Sequence, residues 1–182
     1  GYVGLPLAAA LSEHYPVLGY DVSERRVAEL NSGFDRTGEL DQDRLAQAVD
    51  KGLVITGELD AIRSAAVYIV TVPTPIDRQR QPDLSPLIGA STTVGQVLNR
   101  GDLVIFESTV YPGTTEEVCV PILEQTSGLV FNQDFLVGYS PERINPGDSH
   151  NSLTSIVKIT SGSTPQAAQQ VDALYQQDRK ST

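Results

Sequence analysis

Gly1-Tyr2-Val3-Gly4-Leu5-Pro6-Leu7-Ala8-Ala9-Ala10 opens the chain, and the fold turns on how this stretch is read. It matches the second half of a G-x-G-x-x-G loop. Gly1 and Gly4 fit the second and third glycines, and the first would fall two positions before Gly1. A strand normally feeds such a loop, so the first strand is expected to be truncated here. The second glycine lets the backbone approach a pyrophosphate, and the third lets the helix pack closely on the strand. Tyr2 and Val3 lie between them and join the expected cofactor contacts. The helix N-terminus then offers free N–H groups and a partial positive charge to phosphate. Taken alone, the segment also reads as a Gly-rich turn leading into an Ala-rich buried helix.

The next segment weighs toward the cofactor. Pro16-Val17-Leu18-Gly19-Tyr20-Asp21 is a short apolar run ending in an acid. Asp21 lies 17 residues after Gly4, the region where an acid accepts hydrogen bonds from the adenosine ribose. An acid there repels a 2′-phosphate, which favours NAD over NADP. Helix N-capping is the alternative role for Asp21, and Ser23 suits that role equally well. Arg26 follows in the next helix, on the side that faces an adenosine if one is bound; a solvated helix charge is its other reading.

Composition narrows the class. The chain has 182 residues, 40% of them hydrophobic, and a net charge of −10. Mean hydropathy is −0.15. These values suit a globular domain with a sizeable core. The negative charge argues against a nucleic-acid partner. An anionic substrate would need local Arg, Lys or helix N-termini to hold it. No apolar run approaches the roughly 20 residues that cross a bilayer, so no membrane association is expected. Cys119 is the single cysteine, which removes internal disulfides and Cys-based zinc sites. It reads as a small buried apolar residue in a helix. His14 and His150 have no metal-ligand spacing, and no metal is expected.

Strand-like and helix-like segments alternate. Strands are expected at Val17–Asp21, Leu53–Thr56, Val67–Val72, Leu103–Phe106, Phe135–Tyr139 and Ile156–Ile159. Helical stretches are expected at Glu24–Asn31, Asp41–Asp50, Glu58–Arg63, Leu84–Leu98, Thr114–Gln125 and Gln166–Tyr175. This alternation predicts an α/β fold: a Rossmann-type, doubly wound, mostly parallel sheet with helices on both faces. One such domain accounts for residues 1–177. Ligands then belong at the carboxyl ends of the strands.

Three strand ends carry unusual sequences. In Thr71-Val72-Pro73-Thr74-Pro75, two prolines stop the strand and restrict their predecessors. Thr71, Pro73 and Thr74 are candidate cofactor contacts; a Pro-rich loop is the plain alternative. In Glu107-Ser108-Thr109-Val110-Tyr111-Pro112-Gly113-Thr114-Thr115-Glu116, a buried strand opens into hydroxyls, then a turn and a helix capped by Thr114 or Thr115. Ser108 and Thr109 are placed to position a water or a nicotinamide ribose. In Tyr139-Ser140-Pro141-Glu142-Arg143-Ile144-Asn145-Pro146-Gly147-Asp148, a carboxylate beside a guanidinium offers a general base. A surface salt bridge is the other reading of Glu142 and Arg143.

Together these four segments resemble the N-terminal domain of the UDP-glucose/GDP-mannose dehydrogenase family. The Ser-Pro-Glu-Arg-Ile-Asn-Pro-Gly version, with Tyr139 before it, is most similar to the branch acting on UDP-N-acetylhexosamines, which includes the UDP-N-acetylgalactosamine and UDP-N-acetylglucosamine 6-dehydrogenases. The resemblance runs from Gly1 to about Gln177. Residues 178–182 do not continue it, and a break or artificial end is expected there. The family's central helix and substrate domain are absent from this sequence.

The resemblance implies NAD-dependent oxidation of a C6 alcohol to a carboxylate, for surface-polysaccharide precursors. Two hydrides pass to two NAD, and a cysteine thioester formed between the two oxidations is hydrolysed by water. It also implies a UDP-sugar substrate, a cytoplasmic location and a homo-oligomer assembled through the central region. Thr109 matches the threonine that helps hold the catalytic water. Glu142 matches the base of thioester hydrolysis, and Arg143 is placed near the sugar or its phosphates. Some relatives carry a second glutamate four residues later, where this chain has Pro146, so a paired-carboxylate mechanism is not supported. The family's nucleophilic cysteine and oxyanion-stabilising lysine lie in the later part, and Cys119 does not match that cysteine. The alternatives are a UDP-glucose or GDP-mannose 6-dehydrogenase and, from another class, a non-catalytic NAD-binding module.

Overall fold

The computed structural model describes residues 2–76, 81–141 and 158–176. They divide into two compact units, residues 2–62 and residues 63–141 with 158–175.

In the first unit, α1 (Gly4–Leu11) leads to β1 (Val17–Tyr20), α2 (Glu24–Asn31), α3 (Gln42–Asp50) and β2 (Leu53–Thr56). β1 and β2 pair in parallel, Val17 opposite Leu53 and Tyr20 opposite Thr56. A parallel pair needs a long crossover, which α2 and α3 supply. Ser23 caps α2, its hydroxyl accepting from the Arg26 amide, and Asp41 caps α3 by accepting from the Arg44 amide. Leu5, Leu30, Leu40, Leu45, Leu53 and Ile55 close the core.

A 3-10 turn across Leu59–Ser64 includes the boundary between the units, and the second unit continues through β3 (Val67–Val70), α4 (Ser85–Gly95) and β4 (Leu103–Phe106). A helix through α5 (Val120–Ser127), β5 (Leu136–Tyr139), the short β6 (Ser161–Gly162) and α6 (Pro165–Gln176) follow. The sheet order is β3-β4-β5-β6, parallel except for β6. β4 is buried along its whole length, as expected for a strand covered on both faces. α6 sits against β5 at Gly138, where a Cβ would collide with the Val171 side chain.

Three expectations are corrected. β3 ends at Val70, short of Val72. Pro73 and Pro75 cannot donate to a ladder, and the Val72 carbonyl instead accepts a side-chain hydroxyl. The helix after β4 has no threonine cap: Thr114 turns its hydroxyl to the Tyr111 carbonyl, and the first turn is a π-turn over Thr115–Cys119. Pro121, with no N–H and a ring that crowds the i−4 carbonyl, explains the widened turn. The strand expected at Ile156–Ile159 is not formed at Lys158 or Ile159, and its first two residues lie outside the described residues. The strand forms instead at Ser161–Gly162, antiparallel to β5, and the Lys158 side chain ahead of it pairs with a buried carboxylate.

Candidate functional site

In the first unit, α1 starts without a side-chain cap and without an acid in its first turn. Among the described residues no side chain caps its first amides, which leaves orphan donors at this end. Leu5, Leu7 and Leu11 bury the opposite face. Tyr2 is exposed and Val3 half-buried. Gly1 lies outside the described residues.

Asp21 follows directly on β1, its amide donating to the Thr56 carbonyl. Its Oδ1 accepts from the Ser23 amide at 2.9 Å. This Asx turn orients the carboxylate, and the capping role goes to Ser23. Of the two readings of Asp21, helix capping is thus taken by its neighbour.

Arg26 is not a solvated charge. It is 3% exposed, with Nη1 donating to Glu29 at 2.5 Å and Nη2 to Asp35 at 2.6 Å. Asp35 gathers the following loop around itself. Oδ1 also accepts from the Thr37 amide and hydroxyl, and Oδ2 from the Glu39 and Leu40 amides. Burial pushes the Asp35 carboxyl up, but the donors from Thr37, Arg26 and Leu40 outweigh it and hold the group at about 2. The sequence reading gave Asp35 no role.

In the second unit the structure brings two of the three strand-end motifs together. The Ser108 hydroxyl donates to the Val72 carbonyl at 2.5 Å, and the Thr74 hydroxyl donates to the Thr109 carbonyl at 2.6 Å. The Thr71–Pro75 loop is thereby stitched to the end of β4. Ser108 is buried, while Thr109 is exposed and engaged through its carbonyl. Thr71 is half-buried and Pro73 exposed. The third motif is described only as far as Pro141; Glu142 and Arg143 lie outside the described residues. Ser140, fully buried where β5 ends, has a hydroxyl with no hydrogen-bond partner among the described residues.

A feature the sequence reading missed sits beside Ser108. Glu107 is 1% exposed, and its carboxylate accepts from Lys158 Nζ at 2.5 Å and from the Tyr175 hydroxyl. Lys158 Nζ also lies 4.9 Å from the Tyr175 ring centroid. A glutamate immediately after four buried apolar residues was the available signal. Cys119 is buried, and burial pushes its thiol up to about 11, in keeping with a packing role. Among the described residues no cluster of His, Cys, Asp or Glu could hold a metal. No described helix is long and apolar enough to cross a membrane.

Comparison with known proteins places these features in a family. The model of the UDP-glucose/GDP-mannose dehydrogenase family NAD-binding domain matches residues 1–178. A UDP-N-acetyl-D-glucosamine 6-dehydrogenase of Salmonella typhi is 57% identical over 177 residues, covering 97% of this chain and 41% of that protein. A second, from Pseudomonas aeruginosa, is 55% identical, covering 97% and 42%. The structure of a UDP-D-ManNAc dehydrogenase from Pyrococcus horikoshii superposes with a TM-score of 0.90 at 37% identity, covering 99% of this chain and 43% of that one. The chain thus spans about two fifths of the length of the relatives it matches, and its fold is the Rossmann type of these dehydrogenases.

Proposed function

The chain belongs to the UDP-glucose/GDP-mannose dehydrogenase family, whose NAD-binding domain it carries, and from that premise we propose that it serves a nucleotide-sugar 6-dehydrogenase acting on a UDP-N-acetylhexosamine. The observation that carries this reading is the 57% identity, over 177 residues, to a UDP-N-acetyl-D-glucosamine 6-dehydrogenase.

The residues present fit NAD. The uncapped, acid-free start of α1 suits a pyrophosphate against the amides near Tyr2, Val3 and Gly4, with Gly1 ahead of them. Asp21, oriented by the Ser23 amide, receives the adenosine ribose hydroxyls and disfavours a 2′-phosphate. Arg26 supports this edge from within, through the Asp35 loop. In the second unit, Thr71, Pro73, Thr74 and the buried Ser108 belong to the strand end offered to the nicotinamide half. When bound, NAD supplies the hydride acceptor for the C6 alcohol. Thr109 holds the water used in hydrolysis. Glu142 takes a proton from that water, and Arg143 lies by the sugar or its phosphates. The natural full-length polypeptide would supply the rest of the substrate site and assemble as a homo-oligomer in the cytoplasm.

The test is NADH release by the full-length polypeptide with UDP-N-acetylglucosamine, UDP-N-acetylgalactosamine, UDP-glucose and GDP-mannose, with NAD or NADP. Turnover of a UDP-N-acetylhexosamine with NAD is the expected result. Turnover of UDP-glucose or GDP-mannose alone would move the chain to another branch. NAD binding without turnover of any sugar would favour a non-catalytic module. Asp21→Ser should weaken NAD and narrow its advantage over NADP; an unchanged ratio would remove Asp21 from the ribose site.

A further inference from the structure

Alternation along β4 places Ile105 and Glu107 on one face and Phe106 and Ser108 on the other. Ile105 lies on the face covered by α6, since a Cβ on Gly138 would touch both Ile105 and Val171 of that helix. Glu107 extends the same row, where Tyr175 of α6 and Lys158 meet its carboxylate. The Glu107 side chain is fully buried and that of Lys158 is 10% exposed.

A buried ion pair is a poor device for stability alone. Its desolvation cost rivals its Coulomb gain, and apolar residues of similar volume often do as well. What a pair adds over an apolar contact is direction. Glu107 is the residue before Ser108, and its backbone is already in register: its amide donates to the Val70 carbonyl, and the Ser140 amide donates to the Phe106 carbonyl. Beyond that point the ladder gives way to two side-chain bonds, Ser108 to Val72 and Thr74 to Thr109. The rotation of the strand end is set from one face by Ser108 and from the other by Glu107.

We propose that Glu107, clamped by Lys158 and Tyr175, is a positioning residue that sets the Ser108–Thr109 strand end for the nicotinamide half of NAD. This rests on the NAD reading of that strand end given above. ADP and NAD separate the effect, because ADP carries only the adenosine and pyrophosphate that the first unit serves. In the natural full-length polypeptide, Glu107→Gln and Tyr175→Phe should each raise the NAD dissociation constant about tenfold. ADP affinity should stay within about twofold. Tyr175→Phe keeps the ring and the ion pair, so it reports even if Glu107→Gln does not fold. Unchanged NAD affinity in folded Tyr175→Phe protein would overturn the inference, as would equal weakening of both ligands, which marks a global loss of structure. A wild-type protein that binds ADP but gains nothing from the nicotinamide half would overturn both this inference and the strand-end reading beneath it.

Discussion

Asp35→Asn tests the buried network that organises the first unit. The Asp35 carboxylate accepts five hydrogen bonds, from Arg26, the Thr37 amide and hydroxyl, and the Glu39 and Leu40 amides. Asparagine has one acceptor oxygen and turns the other position into a donor, which opposes the amides or the guanidinium facing it. The Asp35 carboxyl is lowered from 3.8 to about 2, which makes its charged form worth about 2 kcal/mol to the fold. Removing one partner of a buried pair costs about 3–5 kcal/mol. Glu29, at 2.5 Å from Arg26, still neutralises the guanidinium and draws the figure toward the lower end. We expect a loss of about 3 kcal/mol at neutral pH, read by urea denaturation. The sign of the pH dependence follows from the lowered value. The contribution is fully present above 3.8, the unfolded value, and is lost as pH falls through about 2. The gap between wild type and variant should therefore narrow below pH 4. A loss under about 1 kcal/mol, or a gap that stays constant down to pH 2, would refute the view that this carboxylate holds the loop.

Other outcomes follow from the packing and the chemistry. Gly162→Ala should destabilise the second unit by about 1–3 kcal/mol or more, because the new Cβ meets backbone atoms of Ala167 and Ala168 that cannot yield; an unchanged denaturation midpoint would show that α6 shifts freely. Cys119 should resist alkylation at pH 8 in the native protein and react quickly in denaturant, since burial holds its thiol at about 11; rapid native labelling would contradict its burial. In the natural full-length polypeptide, Glu142→Gln should slow hydrolysis of a covalent sugar adduct by about 10²–10⁴-fold while sparing the first NADH burst. Absence of both burst and trapped adduct in rapid-mixing experiments would place Glu142 earlier in the reaction or in a structural role.

Much of this domain was legible along the chain because local chemistry specified it. Val17–Tyr20, Leu53–Thr56 and Leu103–Phe106 announce themselves as apolar, largely β-branched or aromatic runs between breakers. α2 and α3 carry Ser23 and Asp41 at their caps, and both caps form. The glycine loop, Asp21 and the hydroxyls at 108–109 sit at fixed offsets from these elements, so the cofactor reading follows from the sequence alone.

What the tertiary structure alone decided is where the charges go. Nothing short-range couples Arg26 to Asp35, nine residues apart, or Glu107 to Lys158 and Tyr175, which are 51 and 68 residues away. Arg26 reads in sequence as a candidate cofactor contact and in the fold as a buried partner of two acids. Lys158 reads as part of a strand and is instead half-buried against a carboxylate. The physical reason is that periodicity and turn chemistry act over a few residues, whereas burying a charge demands a partner. That partner can come from wherever the chain returns to the same face of the sheet.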